Sequence, residues 1–175
     1  NQFTPTKNFL TYNYSFTSRY GWLYKPYAFT QLTLNADGFW VFKNFWDISL
    51  GLGSLPAGDN DYFVLRTPGR HVKRPAFSFA ELDGSTDSRK PWFFRYEFLV
   101  STFHIPQEHN YHVIELGFRY RFSNRFTMDI ENRKEAETDF IVFAGREMNG
   151  EPIVAFVDFN DITTILSGVY NFTPR

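Results

Sequence analysis

Residues 112–122 read His-Val-Ile-Glu-Leu-Gly-Phe-Arg-Tyr-Arg-Phe, and every second side chain from Ile114 to Phe122 is apolar. Glu115, Gly117, Arg119 and Arg121 stand between them. A strand sends successive side chains to opposite faces, so this segment predicts a strand with one greasy and one wet face. The same period recurs along the chain. Residues 9–17 set Leu10, Tyr12, Tyr14 and Phe16 against Thr11, Asn13, Ser15 and Thr17. Residues 28–42 set Leu32, Leu34, Ala36 and Trp40 against Thr33, Asn35, Asp37 and Phe39. Residues 45–53, 92–102, 126–133 and 162–172 repeat the pattern, and 76–84 repeats it less cleanly. These make about eight strands, most close to the roughly 9–11 residues that cross a bilayer at a tilt.

The connections alternate in length. Short ones are predicted at 43–45, 85–91 and 123–125, and long ones near 18–27, 54–75, 103–111 and 134–161. Short turns on one side and long loops on the other characterise membrane barrels. The last long segment has room for an extra hairpin, with 140–143 and 152–156 flanking Met148-Asn149-Gly150-Glu151, because Asn-Gly is a tight-turn signal. Taking Ser123-Asn124-Arg125 as a three-residue loop pairs Phe122 with Phe126 and Tyr120 with Met128 on the greasy face. On the wet face it sets Arg119 opposite Asp129 and Glu115 opposite Arg133, and opposite charges across a strand pair stabilise a sheet. The same rule at Lys43-Asn44-Phe45 pairs Phe42 with Trp46 and Trp40 with Ile48.

Alternation leaves the direction of the greasy face open, and composition narrows it. Aromatic residues make up 21% of the chain, with 22 Phe, and they outnumber Val, Ile and Leu together. A small eight-stranded barrel has an interior just wide enough to fill with side chains. Several large aromatics per strand would overfill it. The greasy faces of 9–17, 92–102 and 112–122 carry no charge, and Phe42, Phe45, Trp46, Trp92, Phe122, Phe126 and Phe172 lie beside short turns where an interfacial girdle belongs. The sequence therefore predicts an all-β fold: an antiparallel up-and-down transmembrane β-barrel, a single segment over 1–175 made of four hairpins. Phe3-Thr4-Pro5 and Phe172-Thr173-Pro174 echo each other at the two ends, which suggests a section of a larger barrel. No apolar run is long enough for a membrane helix, and mean hydropathy is −0.36. A net charge of −1 argues against nucleic acid held by bulk charge, and zero cysteines exclude disulfides and thiolate metal sites.

Leu65-Arg66-Thr67-Pro68-Gly69-Arg70 followed by Lys73-Arg74-Pro75 resembles a motif of large Bacteroidota outer-membrane barrels, the carbohydrate binding family 9 domain-containing proteins. Lys43-Asn44-Phe45-Trp46 and Leu166-Ser167-Gly168-Val169-Tyr170-Asn171-Phe172 fit the same family. The resemblance implies an N-terminal β-sandwich module ahead of a C-terminal barrel of unassigned function, with further strands beyond this segment. It carries no catalytic residues.

The polar candidates are few. His104, Glu108, His109 and His112 fall in one window, and two imidazoles with Glu108 could hold a transition metal, but the spacing matches no strong zinc pattern. Asp59-Asn60-Asp61 offers oxygens for calcium without the EF-hand continuation, so a solvated turn is expected. Arg66, Arg70, His71, Lys73 and Arg74 could grip lipopolysaccharide phosphates or fold inward, and Pro68-Gly69 favours the inward, structural use. The wet-face charges, Arg119, Asp129, Glu115 and Arg133 among them, read as a lumen ion-pair ladder rather than an acid–base set. No nucleophile elbow, phosphate loop or dinucleotide fingerprint is present. The expectation is a non-catalytic, porin-like pore, transport or envelope-assembly component of a Gram-negative outer membrane, linked to glycan handling by the resemblance. It needs no cofactor, and its partners are the lipid bilayer, lipopolysaccharide and other outer-membrane proteins. The alternatives are an outer-membrane barrel enzyme with a site near His104, Glu108 and His109, and a soluble β-sandwich glycan-binding module.

Overall fold

A computed structural model describes residues 7–25, 27–104 and 110–172. The described residues form one antiparallel sheet and no helix. Its strands are β1 (Phe9–Leu23), β2 (Ala28–Phe42), β3 (Asp47–Leu55), β4 (Asp59–Asp61), β5 (Val72–Arg74), β6 (Phe77–Ser85), β7 (Trp92–Phe103), β8 (Asn110–Arg121), β9 (Phe126–Arg146) and β10 (Pro152–Tyr170). The long strands pair in the order β1-β2-β3-β6-β7-β8-β9-β10, an up-and-down meander. The short β4–β5 hairpin adds to the upper end of β2, where Gln31 faces Asp59. Among the described residues β1 and β10 do not pair with each other, so the sheet is open.

Turn chemistry sets the register. The Phe42 N–H donates to the Trp46 carbonyl (2.8 Å) across Lys43-Asn44-Phe45, and Trp40 faces Ile48. Phe45 closes this three-residue loop with φ of 65°, the left-handed conformation that position requires. At the second loop the Phe122 N–H donates to the Phe126 carbonyl (3.0 Å), and the Ser123 hydroxyl accepts the Arg125 and Phe126 N–H groups. Tyr120 then faces Met128, Arg119 faces Asp129 and Glu115 faces Arg133, the register the sequence predicts.

Three loop boundaries differ from expectation. Segment 134–161 is strand apart from the turn at 147–151, because β9 runs to Arg146 and β10 starts at Pro152. The expected hairpin around Met148-Asn149-Gly150-Glu151 is the tip of these two strands, with the Glu147 N–H donating to the Glu151 carbonyl (2.9 Å). Periodicity hid the extension because the outward side chains there, Asn132, Lys134, Ala136 and Thr138, are not large apolar residues. Likewise β1 continues through 18–23, with a register shift at Gly21/Trp22 that breaks the alternation. The long loop at 54–75 contains the β4–β5 hairpin.

The apolar face is the exposed one. On β8, Leu116 and Phe118 are 39% and 42% exposed, whereas Val113 on the opposite face is 1% exposed and Gly117 is buried. A flat single sheet would leave both faces equally open. Burial of the polar face with no second sheet upon it therefore means that the sheet curls around that face, making it concave.

Candidate functional site

The concave face carries the charges in cross-strand rows. One row runs Asp83 (β6), Glu97 (β7), Glu115 (β8), Arg133 (β9). The next runs Ser85, Arg95, Gly117, Glu131. Gly117 is what makes the second row work. A Cβ there would lie 2.5–2.7 Å from Nε, Cγ and Cζ of Arg95. With only hydrogen at Gly117, the Arg95 side chain crosses β8 and reaches two carboxylates on β9. Its guanidinium donates to Asp129 (3.2 and 3.3 Å) and to Glu131. Arg133 bridges Glu115 (3.2 Å) and Glu135 (3.0 Å), and the Tyr111 hydroxyl donates to the other Glu135 oxygen (2.8 Å). Charge-assisted bonds of this kind tie three strands together on one face. Beside them Asp47, Glu81, Asp83, Glu97 and Glu115 line an open acidic basin of about 420 Å³.

The upper end of the concave face changes character. Phe77, Phe79, Phe103, Tyr111 and Phe140 line a cavity of about 370 Å³ together with Arg74 and the buried Ser101. Arg74 belongs to the 56–76 connection, which leaves β3 and crosses to the β9–β10 tip. There Arg70 forms a two-bond ion pair with Glu151, one bond at 3.0 Å. The Arg146 guanidinium donates to the Arg66 carbonyl (2.7 Å), and the Arg66 guanidinium lies 4.8 Å from the Phe143 ring centre. The Arg70 guanidinium holds the Glu151 carboxyl below the usual carboxylate range.

The lower rim is built from turns. Asp87 is buried and accepts two bonds from the Arg89 side chain (2.8 Å each) and one from its N–H (3.0 Å). These bonds pull the Asp87 pKa down to about 2. Arg89 stacks on the Phe45 ring of the neighbouring turn, 3.3 Å from its centre.

The family model described as Domain of unknown function (DUF5916) matches residues 1–175. The chain belongs to the DUF5916 family. No curated protein and no solved structure matches it.

Several predicted site residues of this DUF5916 chain have found other partners. Arg119 faces Asp129 in register but does not pair with it. Arg95 takes that carboxylate, and Arg119 donates to the Ser88 carbonyl (3.2 Å) and covers the Phe93 ring (4.5 Å). Glu115 and Arg133 pair as predicted. Of the basic run, Arg66 and Arg70 bind the β9–β10 tip, Arg74 binds Asp61 (2.6 Å), and Lys73 is exposed on β5. His71 packs on the Tyr62 ring, 4.8 Å between centres. Of the candidate calcium oxygens of the DUF5916 loop, those of Asp61 are engaged, whereas among the described residues Asp59 Oδ1 is buried without a hydrogen-bond partner. Asp61 also accepts the Phe63 and Val64 N–H groups, and the Asn60 amide donates to the Phe29 carbonyl. Burial raises the Asp59 pKa, with Arg74 opposing it.

His104 Nε2 lies 3.0 Å from the Ser78 hydroxyl, while Glu108 and His109 lie outside the described residues. His112 is on the outward face, opposite Val100 and Ala136. Among the described residues no three metal-ligating side chains converge. Sequence reasoning missed the Arg95–Gly117–Glu131 row, whose signal was a glycine in the wet-face series. It also missed Phe143, Arg146 and Glu151, which nothing in the local pattern connects to residues 66–70.

Proposed function

We propose that this chain forms part of the wall of an outer-membrane β-barrel in a Gram-negative bacterium, of the kind borne by carbohydrate binding family 9 domain-containing proteins of Bacteroidota. The wall serves a pore, transport or envelope-assembly role. One observation carries this reading: over β3, β6, β7 and β8 the outward face is an apolar band with two chemically distinct borders. Below it lie Phe45, Trp46, Trp92 and Phe122 at the short turns, all exposed. Above it Ser54, Ser78, Thr102 and Asn110 stand in one register row across four strands, with the Ser78 hydroxyl donating to Ser54 (3.2 Å). From Trp92 to Thr102 on β7 the chain rises about 33 Å along the strand, or about 25 Å along the membrane normal at a tilt of about 40°. An outer-membrane barrel presents to lipid an apolar band of about 25 Å bordered by aromatic girdles, and Phe45, Trp46, Trp92 and Phe122 supply one of those two borders.

The concave face then lines the lumen, where charged residues stay near water. The single sheet supports this reading over a soluble sandwich, since among the described residues no second layer covers the outward rings, and Phe98 and Phe118 stay exposed. The open backbones of β1 and β10 call for neighbouring strands, because unpaired backbone groups in hydrocarbon cost several kcal/mol each, roughly. The test is the purified full-length protein. Insertion into lipid vesicles with a heat-dependent gel shift is the expected result. A protein that stays soluble and monomeric without detergent, and shows no such shift, overturns the membrane reading.

A further inference from the structure

Leu99, Ser101 and Phe103 follow one another on the concave face at the upper end of β7. Small Ser101 stands in one register row between two aromatic residues, Phe79 on β6 and Tyr111 on β8. Both rings lean away from it. The other register partner of Phe79 is Gly53 on β3, and a Cβ at Gly53 would collide with the far end of the Phe79 ring, so that ring lies over the glycine. Tyr111 is drawn the opposite way, toward β9, where its hydroxyl donates to Glu135 (2.8 Å). Strands β6 and β8 lie two strand spacings apart, about 9.5 Å. A carbon ring held between two others needs about 3.5–4.0 Å on each side. The space over Ser101 is therefore one ring thick. Phe77 and Phe103, with ring centres 5.0 Å apart, close it above, and Leu99 closes it below. With Phe140 they enclose the cavity of about 370 Å³, a size suited to a small molecule.

The polar groups of the cavity narrow the ligand. Ser101 is 5% exposed, and among the described residues its hydroxyl has no hydrogen-bond partner. A buried hydroxyl is costly to leave unmet, so this one awaits a partner in the cavity that it lines. The two charged residues on the wall, Arg74 and Glu137, have opposite signs, and Arg74 is met by Asp61 (2.6 Å). We infer that the slot binds an uncharged aromatic molecule. Its ring lies between Phe79 and Tyr111, and a polar group on its edge bonds the Ser101 hydroxyl, which can both donate and accept. A place for this slot on a transport path rests on the reading of the concave face as a lumen, but the binding itself does not.

Fluorine NMR of para-fluorophenol with the full-length protein in detergent tests the slot. The expected result is saturable line broadening. Ser101→Ala weakens binding about three- to tenfold, the share of one hydrogen bond. Para-fluorotoluene, which lacks the hydroxyl, binds both proteins alike. Ser101→Leu fills the slot and abolishes saturable binding of either probe. Ser101→Ala removes a single oxygen, so it tests the site even where Ser101→Leu fails to fold. Absence of saturable binding, equal weakening of both probes by Ser101→Ala, or tighter binding of para-fluorobenzoate than of para-fluorophenol overturns the inference. Binding by a chain that never enters vesicles counts against the membrane reading alone, and an inserted chain that does not bind counts against the slot alone.

Discussion

The outward surfaces of β7–β8 and of β9–β10 are adjacent, antiparallel and in continuous register, yet they present different chemistry. On β7 and β8 the outward series runs Phe94, Tyr96, Phe98, Val100 and Phe118, Leu116, Ile114. On β9 the register partners of Leu116 and Ile114 are Asn132 and Lys134, and on β10 the partner of Asn132 is Thr164. The Asn132 amide donates to the Thr164 hydroxyl at 2.8 Å. Identical backbone pairing thus supports an apolar wall on one side and a polar notch on the other. The lipid-facing claim is a claim about particular strands, and it is strongest over β7–β8.

The largest expected effect sets the two surfaces against each other. Leu116→Arg, measured by unfolding from lipid vesicles, should destabilise by about 2–4 kcal/mol, the cost of an arginine near mid-bilayer. Asn132→Arg, one strand away, should cost roughly 0–1 kcal/mol, since that notch already tolerates Lys134. Equal costs at the two sites would erase the distinction between the surfaces.

A smaller effect probes the inner side of the same strand. Gly117→Val drives a side chain into the path of Arg95 and leaves Asp129 and Glu131 without their guanidinium. The expected loss is about 1–3 kcal/mol, limited by the partial exposure of this network. Arg95→Ala combined with Gly117→Val should cost little more than either alone if the glycine acts through Arg95. Smaller still, a double-mutant cycle on Glu115 and Arg133 should return roughly 0.2–1 kcal/mol, as these side chains are partly solvated.

Below the band, acid should loosen the 86–91 turn. The Asp87 pKa is lowered from 3.8 to about 2 by Arg89. A depressed carboxyl pKa contributes stability that is fully present above the unfolded value and is lost as pH falls through the folded one. The contribution therefore fades between about pH 4 and pH 2, and Asp87→Asn should flatten that part of the pH–stability curve.

Much of this organisation was legible before any coordinates. Three-residue loops at 43–45 and 123–125 carried the register, because turn geometry and period-two alternation leave a single pairing. The Glu115–Arg133 pair followed from that register. The Arg119–Asp129 pair did not, because register assigns neighbours while a long side chain chooses among them by reach. Arg95 reaches past its neighbour only because Gly117 has no Cβ. The middles of β9 and β10, 134–139 and 157–161, which join the expected 140–143 and 152–156 hairpin to the rest of the sheet, were hidden for a related reason. Their outward residues lack the apolar alternation, and the strands are held by backbone pairing and by the inward charges Glu131, Arg133 and Glu135. The Arg70–Glu151 ion pair was out of reach altogether, since its partners are 81 residues apart and no local pattern connects them.

The central claim is that the exposed apolar face meets lipid while the concave polar face meets water. Spin labels placed one at a time at 96, 97, 98 and 114, 115, 116 in vesicle-bound protein test it directly. The account predicts alternation, with labels at Tyr96, Phe98, Ile114 and Leu116 relaxed by oxygen dissolved in lipid, and labels at Glu97 and Glu115 relaxed by a water-soluble nickel complex. Nickel accessibility on the apolar side, or immobile labels packed in a dry core there, would contradict it.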